Sequence, residues 1–434
     1  MNNAPYRLRP AAPLLSGVAI AVALVILFGP VLGSSRAATS TLLAGFEARS
    51  YAPGQAAVLA IRGGDASRLT LQIFRAGAAG TPGAAVATGW DKHTFGRPAT
   101  APQQLHRPAG RGRWVVRVHL DTGWESGVYV ARLSWGGHLD YAPFVLRPRR
   151  LGTESVLVVE PTNTWHAYDV VDGDSWYFDP SVHVIDLTHP FATSTVTGHP
   201  VPPGLPQQFS HYDLGFLRWY WHSGYRADVI SDDDLEHLAG AGALSHYRLI
   251  VFAGHEEYVT SHTFDLITHY RNAGGNLAFL SANNFFYKVG VSGNTMTGRT
   301  PWRRLGRPEA ALVGAQYAGW DEGKYPNRPY RIVDTAAAPW LFKGTNLHDG
   351  SLVGNYGIEV DEPNAVSPPH THVLAEIPNE LGPGKPAEMT IYTRGGSTVF
   401  DAGAINFGAS AHWPALSRFF SNLWSHLSGE SSDS

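Results

Sequence analysis

Short, wholly apolar runs that end in polar clusters constrain the fold of this chain most strongly. The runs at 156–159 (VLVV), Leu249–Phe252 (LIVF) and 277–280 (LAFL) contain no polar side chain. Uninterrupted apolar runs of this length are typical of strands buried on both faces of a parallel sheet. Helical patterns at 216–221 and 263–272 lie between the runs. This alternation predicts an α/β parallel sheet covered on both faces, in a domain that extends over residues 152–428.

Residues 42–148 have a different pattern. Alternating segments at 57–61, 69–74, 114–118 and 128–133 are separated by Gly, Pro and polar clusters, which predicts an immunoglobulin-like β-sandwich. Residues 295–395 are rich in Pro and Gly and aperiodic, and we interpret them as long excursions over the sheet with short strands such as 388–392. A strand at 397–400 and an amphipathic helix at 415–427 then complete the α/β domain, and residues 429–434 are predicted to be a disordered tail.

Charge and cysteine content exclude several classes of protein. The formal net charge is −3, so we expect no nucleic-acid partner. The chain has no Cys, which excludes disulfides, Cys-ligated zinc sites and a Cys nucleophile.

The first 38 residues have the pattern of a targeting segment. Arg7 and Arg9 precede a long uncharged apolar stretch, and small residues at Ser35 and Ala37 suit a cleavage site. An uncleaved signal anchor is the alternative, because the stretch is long enough to span a bilayer. We therefore expect an exported protein, secreted or anchored in the cell envelope. It would meet a membrane only through an uncleaved N-terminal segment.

A polar cluster follows each of the three apolar runs. Residues 160–169 read EPTNTWHAYD, residues 255–258 read HEEY and residues 281–284 read SANN. Sequential parallel strands lie close together, so these ends should meet at one edge of the sheet and form a site. Glu256 and Glu257 alternate on an extended chain, so we expect one to point inward and one to be solvated. Neither a G-x-S-x-G nor an H-E-x-x-H motif is present.

The segments PTNTWHAY (161–168), GHEEY (254–258) and GGNLAFLSAN (274–283) resemble, in order and spacing, the C-terminal domain of the large (β) subunit family of N,N-dimethylformamidase. The resemblance covers about residues 150–425. It implies a class I glutamine-amidotransferase-like α/β fold with flavodoxin-like layering, without the Cys nucleophile of true glutaminases.

The resemblance also implies a mononuclear iron site, with the iron in the ferric state. The matching positions are Tyr168, Tyr177 and Glu257 as metal ligands, with His255, Asn283 and Glu359 as catalytic groups beside the bound water. Phenolate and carboxylate are hard oxygen donors, which suit a hard Lewis acid. A metal-bound water would attack the amide carbonyl, and Glu359 or His255 would carry the proton to the leaving amine.

Two functions from different classes are open at this point. One is a metal-dependent hydrolase of an amide C–N bond in a small molecule. The other is a non-catalytic cell-envelope or carbohydrate-binding module, because 13 Trp and 18 Tyr residues suit stacking against a glycan. Metal content separates the two, and the sequence leaves the oligomeric state open.

Overall fold

A computed structural model describes residues 42–430 except 65–66, 79–95, 109–111, 171–174, 178, 180, 192–200 and 322–326. All described residues belong to one compact unit, Ser40–Ser434, and residues 1–41 lie outside them. The predicted signal peptide or anchor at 1–38 therefore also lies outside them. None of the helices in the described part of the chain is both long enough and apolar enough to cross a membrane.

The described residues up to Leu146 form strands in two sheets. These strands are β1 (Leu43–Phe46), β2 (Ser50–Tyr51), β3 (Ala56–Arg62), β4 (Arg68–Ala76), β5 (Gly96–Pro98), β6 (Gln103–His106), β7 (Trp114–His119), β8 (Gly127–Trp135) and β9 (His138–Leu146). One sheet has the order β1-β3-β7 and the other β2-β9-β8-β4-β5, with β6 also paired to β4. Apolar side chains such as Leu59, Ile73 and Phe144 form one core cluster. The four strands predicted in this region are confirmed at β3, β4, β7 and β8.

The remaining strands are β10 (Val156–Glu160), β11 (Val184–Asp186), β12 (Asp228–Ser231), β13 (Leu249–Phe252), β14 (Tyr258–Val259), β15 (Asn276–Phe279), β16 (Tyr287–Ser292), β17 (Thr295–Pro301), β18 (Gln316–Trp320), β19 (Arg328–Ile332), β20 (Leu352–Tyr356), β21 (Glu359–Glu362), β22 (His372–Ile377), β23 (Ala387–Arg394) and β24 (Ser397–Asp401). The α-helices are α1 (Thr162–Tyr168), α2 (Leu214–Ser223), α3 (Asp232–Glu236), α4 (Ser261–Asn272), α5 (Ala310–Val313), α6 (Pro339–Phe342) and α7 (Pro414–Ser428). The helices predicted at 216–221, 263–272 and 415–427 are confirmed at α2, α4 and α7.

The largest sheet has nine strands in the order β12-β10-β13-β15-β24-β23-β22-β19-β20. The pairs from β12 to β24 are parallel, and the pairs from β24 to β20 are antiparallel. Apolar clusters pack on both sides of it, one around α7 with Phe400 and Phe419 and one around α4 with Phe252 and Phe279.

The predicted fold class is wrong. The chain is not a parallel α/β sheet with class I glutamine-amidotransferase-like, flavodoxin-like layering beside an immunoglobulin-like β-sandwich. Among the described residues strand outweighs helix, 37% against 22%, and the strands form several sheets. The physical reason lies in residues 295–395, interpreted as excursions, which supply the antiparallel strands β19, β20, β22 and β23 to the central sheet. The domain bounds 42–148 and 152–428 stay a prediction.

Two smaller sheets carry the site described below. One has the order β11-β17-β16-β14, and β18 pairs with β21 in the other. At the C-terminal end, Gly429 caps α7 in a left-handed conformation with φ +71°. The Glu430 carboxylate accepts hydrogen bonds from Ser155 and Trp424. Residues 431–434 of the predicted tail lie outside the described residues.

Candidate functional site

The three polar clusters predicted to meet at one sheet edge do meet there. Strands β10, β13 and β15 are adjacent and parallel, and their register aligns Val159 with Phe252 and Phe252 with Phe279. The residues that follow each strand therefore leave the sheet side by side. Short backbone hydrogen bonds then join the second and third clusters, from Phe285 N–H to Glu256 O (2.6 Å) and from Tyr287 N–H to Glu257 O (2.9 Å).

Helix α1 presents Tyr168 at its last position because buried partners hold the helix from its first turn onward. The Asp232 carboxylate accepts hydrogen bonds from Thr162 Oγ1 and from Asn163 N–H, which satisfies donors at the helix N-terminus. Trp165 Nε1 donates to Asp213 Oδ2 over 2.7 Å. Asp213 can approach because residue 254 is Gly, where a Cβ atom would lie 1.8 Å from Asp213 Oδ1.

A buried arginine from the bend between β1 and β2 also holds helix α1. Arg49 is 8% exposed, and its Nη1 donates to Asn163 Oδ1 over 2.8 Å while Nη2 pairs with Asp233. The Asn163 side-chain amide donates in turn to Tyr258 O over 3.3 Å. Arg49 therefore supports the Asn163 side chain, which joins the helix that carries Tyr168 to the segment that carries Glu257.

Two tyrosines and two glutamates bring their oxygen atoms together at the end of α1. The Tyr168 hydroxyl contacts the Tyr177 hydroxyl and donates to Glu257 Oε2 over 2.9 Å. Both phenols also lie 3.4 Å from Glu359 Oε1. Residues far apart in the chain thus form one compact group of four ionisable side chains, two phenols and two carboxyls.

The remaining predicted groups, His255 and Asn283, line the same cluster. Asn283 Nδ2 donates to Glu359 Oε2 over 2.7 Å. His255 Nε2 lies 3.6 Å from both Glu257 Oε2 and Glu359 Oε2. All six residues named from the sequence therefore converge, whereas their chemical roles stay predictions.

The cluster is buried apart from one tyrosine. His255, Glu257 and Asn283 are at most 2% exposed, whereas Tyr177 is 45% exposed and its hydroxyl faces the cluster. Glu256 is also buried, at 1% exposure. The expectation that one of the two consecutive glutamates is solvated is wrong, because the chain after β13 passes under the loop that follows β15 and both of its faces are covered.

Burial dominates the electrostatics of the group. It raises the pKa of Glu257, with the neighbouring Glu359 as the next cause, and it raises the pKa of Glu359 to about 7 despite hydrogen bonds from Asn283 and the tyrosines. Burial, followed by the two carboxylates, also raises the pKa of Tyr168 well above its usual range. In the protein alone the phenols therefore stay protonated at neutral pH.

The same burial keeps His255 neutral. It lowers the pKa of the imidazole to about 3, so the short distances to the two glutamates are contacts of a neutral ring. Neither ring nitrogen has a hydrogen-bond partner among the described residues. A neutral imidazole without partners is free to accept or donate one hydrogen bond to a molecule that enters the cluster.

Two residues that the sequence did not single out shape the loop around Asn283. Asn283 has φ +55°, and its backbone N–H donates to Asp361 Oδ1 over 2.8 Å. Ile358, directly before Glu359, has φ +72°, which is strained for a β-branched residue. Asp361 was visible two residues after Glu359 as a further acid in the same short strand, but nothing in the sequence indicated that it would hold Asn283.

A second buried acidic group lies behind the first. Glu160, Asp213 and Glu256 are at most 1% exposed, and burial raises the pKa of each carboxyl, that of Asp213 to about 8. The oxygens of Glu160 and Glu256 have no hydrogen-bond partner among the described residues. These groups are therefore uncharged acids at neutral pH in the protein alone.

Within the described ranges, no group of three or more His, Cys, Asp or Glu side chains is arranged to hold a metal ion. The iron ligands predicted from the sequence are not a group of this kind, because Tyr168 and Tyr177 are two of the three.

Comparison with known proteins gives one consistent family. The family described as N,N-dimethylformamidase beta subunit-like, C-terminal, matches residues 70–417. N,N-dimethylformamidase beta subunits are similar over part of the chain. The protein from Paracoccus aminophilus is 24% identical over 59% of this chain and 43% of its own length, and that from an Alcaligenes species is 25% identical over 58% and 42%. The chain thus spans less than half the length of these relatives.

Similarity to solved structures is weak. The sulfur carrier protein SoxY from Chlorobium limicola f thiosulfatophilum is 12% identical and matches 26% of this chain and 79% of that chain, with a TM-score of 0.14. A score this low supports no argument about fold. The family match, in contrast, covers most of the chain and includes all six site residues. The chain belongs to the N,N-dimethylformamidase beta subunit-like family, through that family's C-terminal region.

Proposed function

We propose that this protein is an exported, metal-dependent hydrolase of an amide C–N bond. The observation that carries the proposal is the convergence of two phenols and two carboxyls, from Tyr168, Tyr177, Glu257 and Glu359, in one buried cluster. The relatives are named as dimethylformamidase subunits, and that name supports a small amide as substrate. Export is proposed from the targeting pattern in the first 38 residues.

The cluster suits a hard cation such as ferric iron, with Tyr168, Tyr177 and Glu257 as its ligands. Four acidic side chains lie together, and in the described part of the chain no Lys or Arg forms an ion pair with either Glu257 or Glu359. A buried carboxylate without a counter-ion is costly, and a bound cation would compensate its charge and allow the phenols to ionise. Such an ion supplies Lewis-acid activation of water and of an amide carbonyl.

The other side chains are placed to bind the amide and move protons. Glu359 lies within hydrogen-bond distance of both phenols and of Asn283, so it is positioned to accept a proton from water and return it to the leaving amine. Asn283 fixes the orientation of that carboxyl. His255 stays neutral and offers one hydrogen bond to the amide or to water.

The test is amine release from a panel of small neutral amides by iron-loaded protein. Glu359→Gln should retain iron and lower kcat by about 100-fold or more, because proton transfer by a positioned side chain contributes about that factor. Glu362→Gln, at the partly exposed end of the same strand, is the matched control and should behave like wild type. If iron-loaded wild type hydrolyses no amide and instead retains a glycan, with Glu359→Gln unaffected, the binding-module alternative replaces the proposal.

A further inference from the structure

Arg299 stands at the solvent-exposed edge of the site and pairs with no acidic side chain in the part of the chain that the structure describes. It is exposed on β17, and among the described residues no Asp or Glu lies within ion-pair distance of it. One of its N–H groups, on Nη1, donates to Trp176 O over 2.9 Å. A guanidinium has five N–H donors in a planar fork, so donors remain for a ligand.

Aromatic rings hold this guanidinium in a fixed position. Its Cζ lies 5.8 Å from the ring centroid of Trp176 and 5.8 Å from that of Tyr287. These rings belong to an aromatic cluster in which the Tyr258 ring lies 5.3 Å from Trp176, tilted by 49°, and 5.5 Å from Tyr287, on which it stacks. Cation–π contacts and the hydrogen bond to a backbone carbonyl restrict the side chain before any ligand arrives, which lowers the entropy lost on binding.

The position of Arg299 relative to the cluster makes it part of the approach to the site. Tyr177, the one exposed member of the cluster, directly follows Trp176, whose carbonyl Arg299 binds. Tyr258, which contacts both rings that Arg299 covers, directly follows Glu257. Arg299 also lowers the pKa of Glu257, although burial and Glu359 have larger, opposite effects. A substrate that reaches the cluster past Tyr177 therefore passes the guanidinium.

A second basic side chain reinforces this edge. Arg304 is exposed and lies close enough to Tyr287 to act on its hydroxyl electrostatically. The pKa of Tyr287 is raised to about 12, first by burial and then by Glu257, while Arg299 and Arg304 lower it. A basic rim outside an acidic, buried cluster favours a ligand that is anionic at one end and neutral at the other.

We propose that Arg299 binds a carboxylate on the substrate, so that the enzyme acts on amides that carry an acid group, of the N-acyl amino acid class. This inference rests on the proposed function, since it places the scissile amide at the cluster. The planar fork of Arg299 matches a carboxylate with two parallel hydrogen bonds. The neutral amide then extends past Tyr177 towards Glu257 and Glu359.

Binding of N-acetylglycine and of its neutral analogue N-acetylglycinamide to the full-length, iron-loaded protein tests the proposal by calorimetry. Wild type should bind N-acetylglycine at least about tenfold more tightly, because hydrogen bonds to a charged group contribute that much. Arg299→Gln should lose the preference and Arg299→Lys should keep part of it. Arg304→Gln is the matched control, because it removes a cation from the same rim and should change the preference by less than about twofold.

Two results would overturn the proposal: no preference in wild type, or a preference that survives Arg299→Gln. Because the preference compares binding affinities and does not depend on amine release, failure of the proposed function is distinguishable. A carboxylate preference that depends on Arg299, in a protein that hydrolyses no amide, would remove the hydrolase and keep the carboxylate site. Hydrolysis of neutral amides without a carboxylate preference would keep the hydrolase and remove the carboxylate site.

Discussion

Arg49→Gln should lower the free energy of unfolding by about 1–4 kcal/mol. Arg49 is 8% exposed, and its two hydrogen-bonded contacts contribute different amounts to the free energy of unfolding. Gln is too short to keep both, so Asn163 Oδ1 would lose its 2.8 Å partner in a buried position, at a cost of about 1–3 kcal/mol. The pair with Asp233 is partly exposed, with 24% exposure on the acid, and contributes about 0–1 kcal/mol.

Urea denaturation followed by Trp fluorescence measures this change. Arg113→Gln is the matched control, because Arg113 pairs with Glu47 in the same sheets but at 49% and 43% side-chain exposure, so its loss should cost less than about 1 kcal/mol. Because Asn163 also contacts Tyr258 O, Arg49→Gln should in addition weaken iron binding. Equal destabilisation by the two variants would refute the view that Arg49 connects the N-terminal sheets to the site.

Two further predictions concern positions away from the site. Burial raises the pKa of Asp140 to about 8, above its unfolded value, so the free energy of unfolding should fall as pH rises from about 4 to about 8. Asp140→Asn should flatten this pH dependence while its side-chain oxygen still accepts the hydrogen bond from Ala44 N–H. An unchanged slope in unfolding measured across this pH range would contradict the assignment. Gly403→Ala should lower the free energy of unfolding by at least about 3 kcal/mol, because φ is +68° and a Cβ atom would lie 2.0 Å from Glu388 O. Gly396→Ala, with φ +90° and open space around it, should lower it by about 1 kcal/mol, and similar melting temperatures for the two variants would exclude the clash.

The parts of the site that follow strand ends could be predicted because the cause is local. An apolar run such as Leu249–Phe252 marks a buried strand, and the residues after it must leave at the sheet edge. His255, Glu257 and Asn283 were found in this way. Tyr177 and Glu359 could not be found from strand ends, because they approach from distant segments, and only the family resemblance indicated them.

The fold class could not be predicted because the deciding strands lack a clear period. Strand β22 buries the consecutive residues Leu374 and Ala375, and its register with β23 shifts between Val373 and Ala375, so alternation is broken. Strand β19 contains Pro329 and has a register shift against β20 between Arg328 and Tyr330. Bulges and prolines made residues 295–395 look irregular, although these strands supply the antiparallel half of the central sheet.

The burial of Glu256 and the role of Arg49 depend on tertiary contacts that no sequence pattern encodes. Glu256 is covered because the loop containing Phe285 hydrogen-bonds to its carbonyl oxygen. Arg49 reaches helix α1 from the bend between β1 and β2, over a separation of 114 positions to Asn163. In both cases a charged residue looks like a surface residue in sequence.

Metal content with a visible spectrum tests the central claim most directly, namely that Tyr168, Tyr177 and Glu257 hold one hard cation. Wild type loaded with ferric iron should bind about one iron per chain and show a purple-red phenolate-to-iron charge-transfer band, and Tyr287→Phe, a nearby tyrosine outside the ligand set, should do the same. Tyr168→Phe and Glu257→Gln should lose both the iron and the band while near-UV circular dichroism shows an intact fold. Wild type without iron or band, or Tyr168→Phe with unchanged iron and band, would contradict the account.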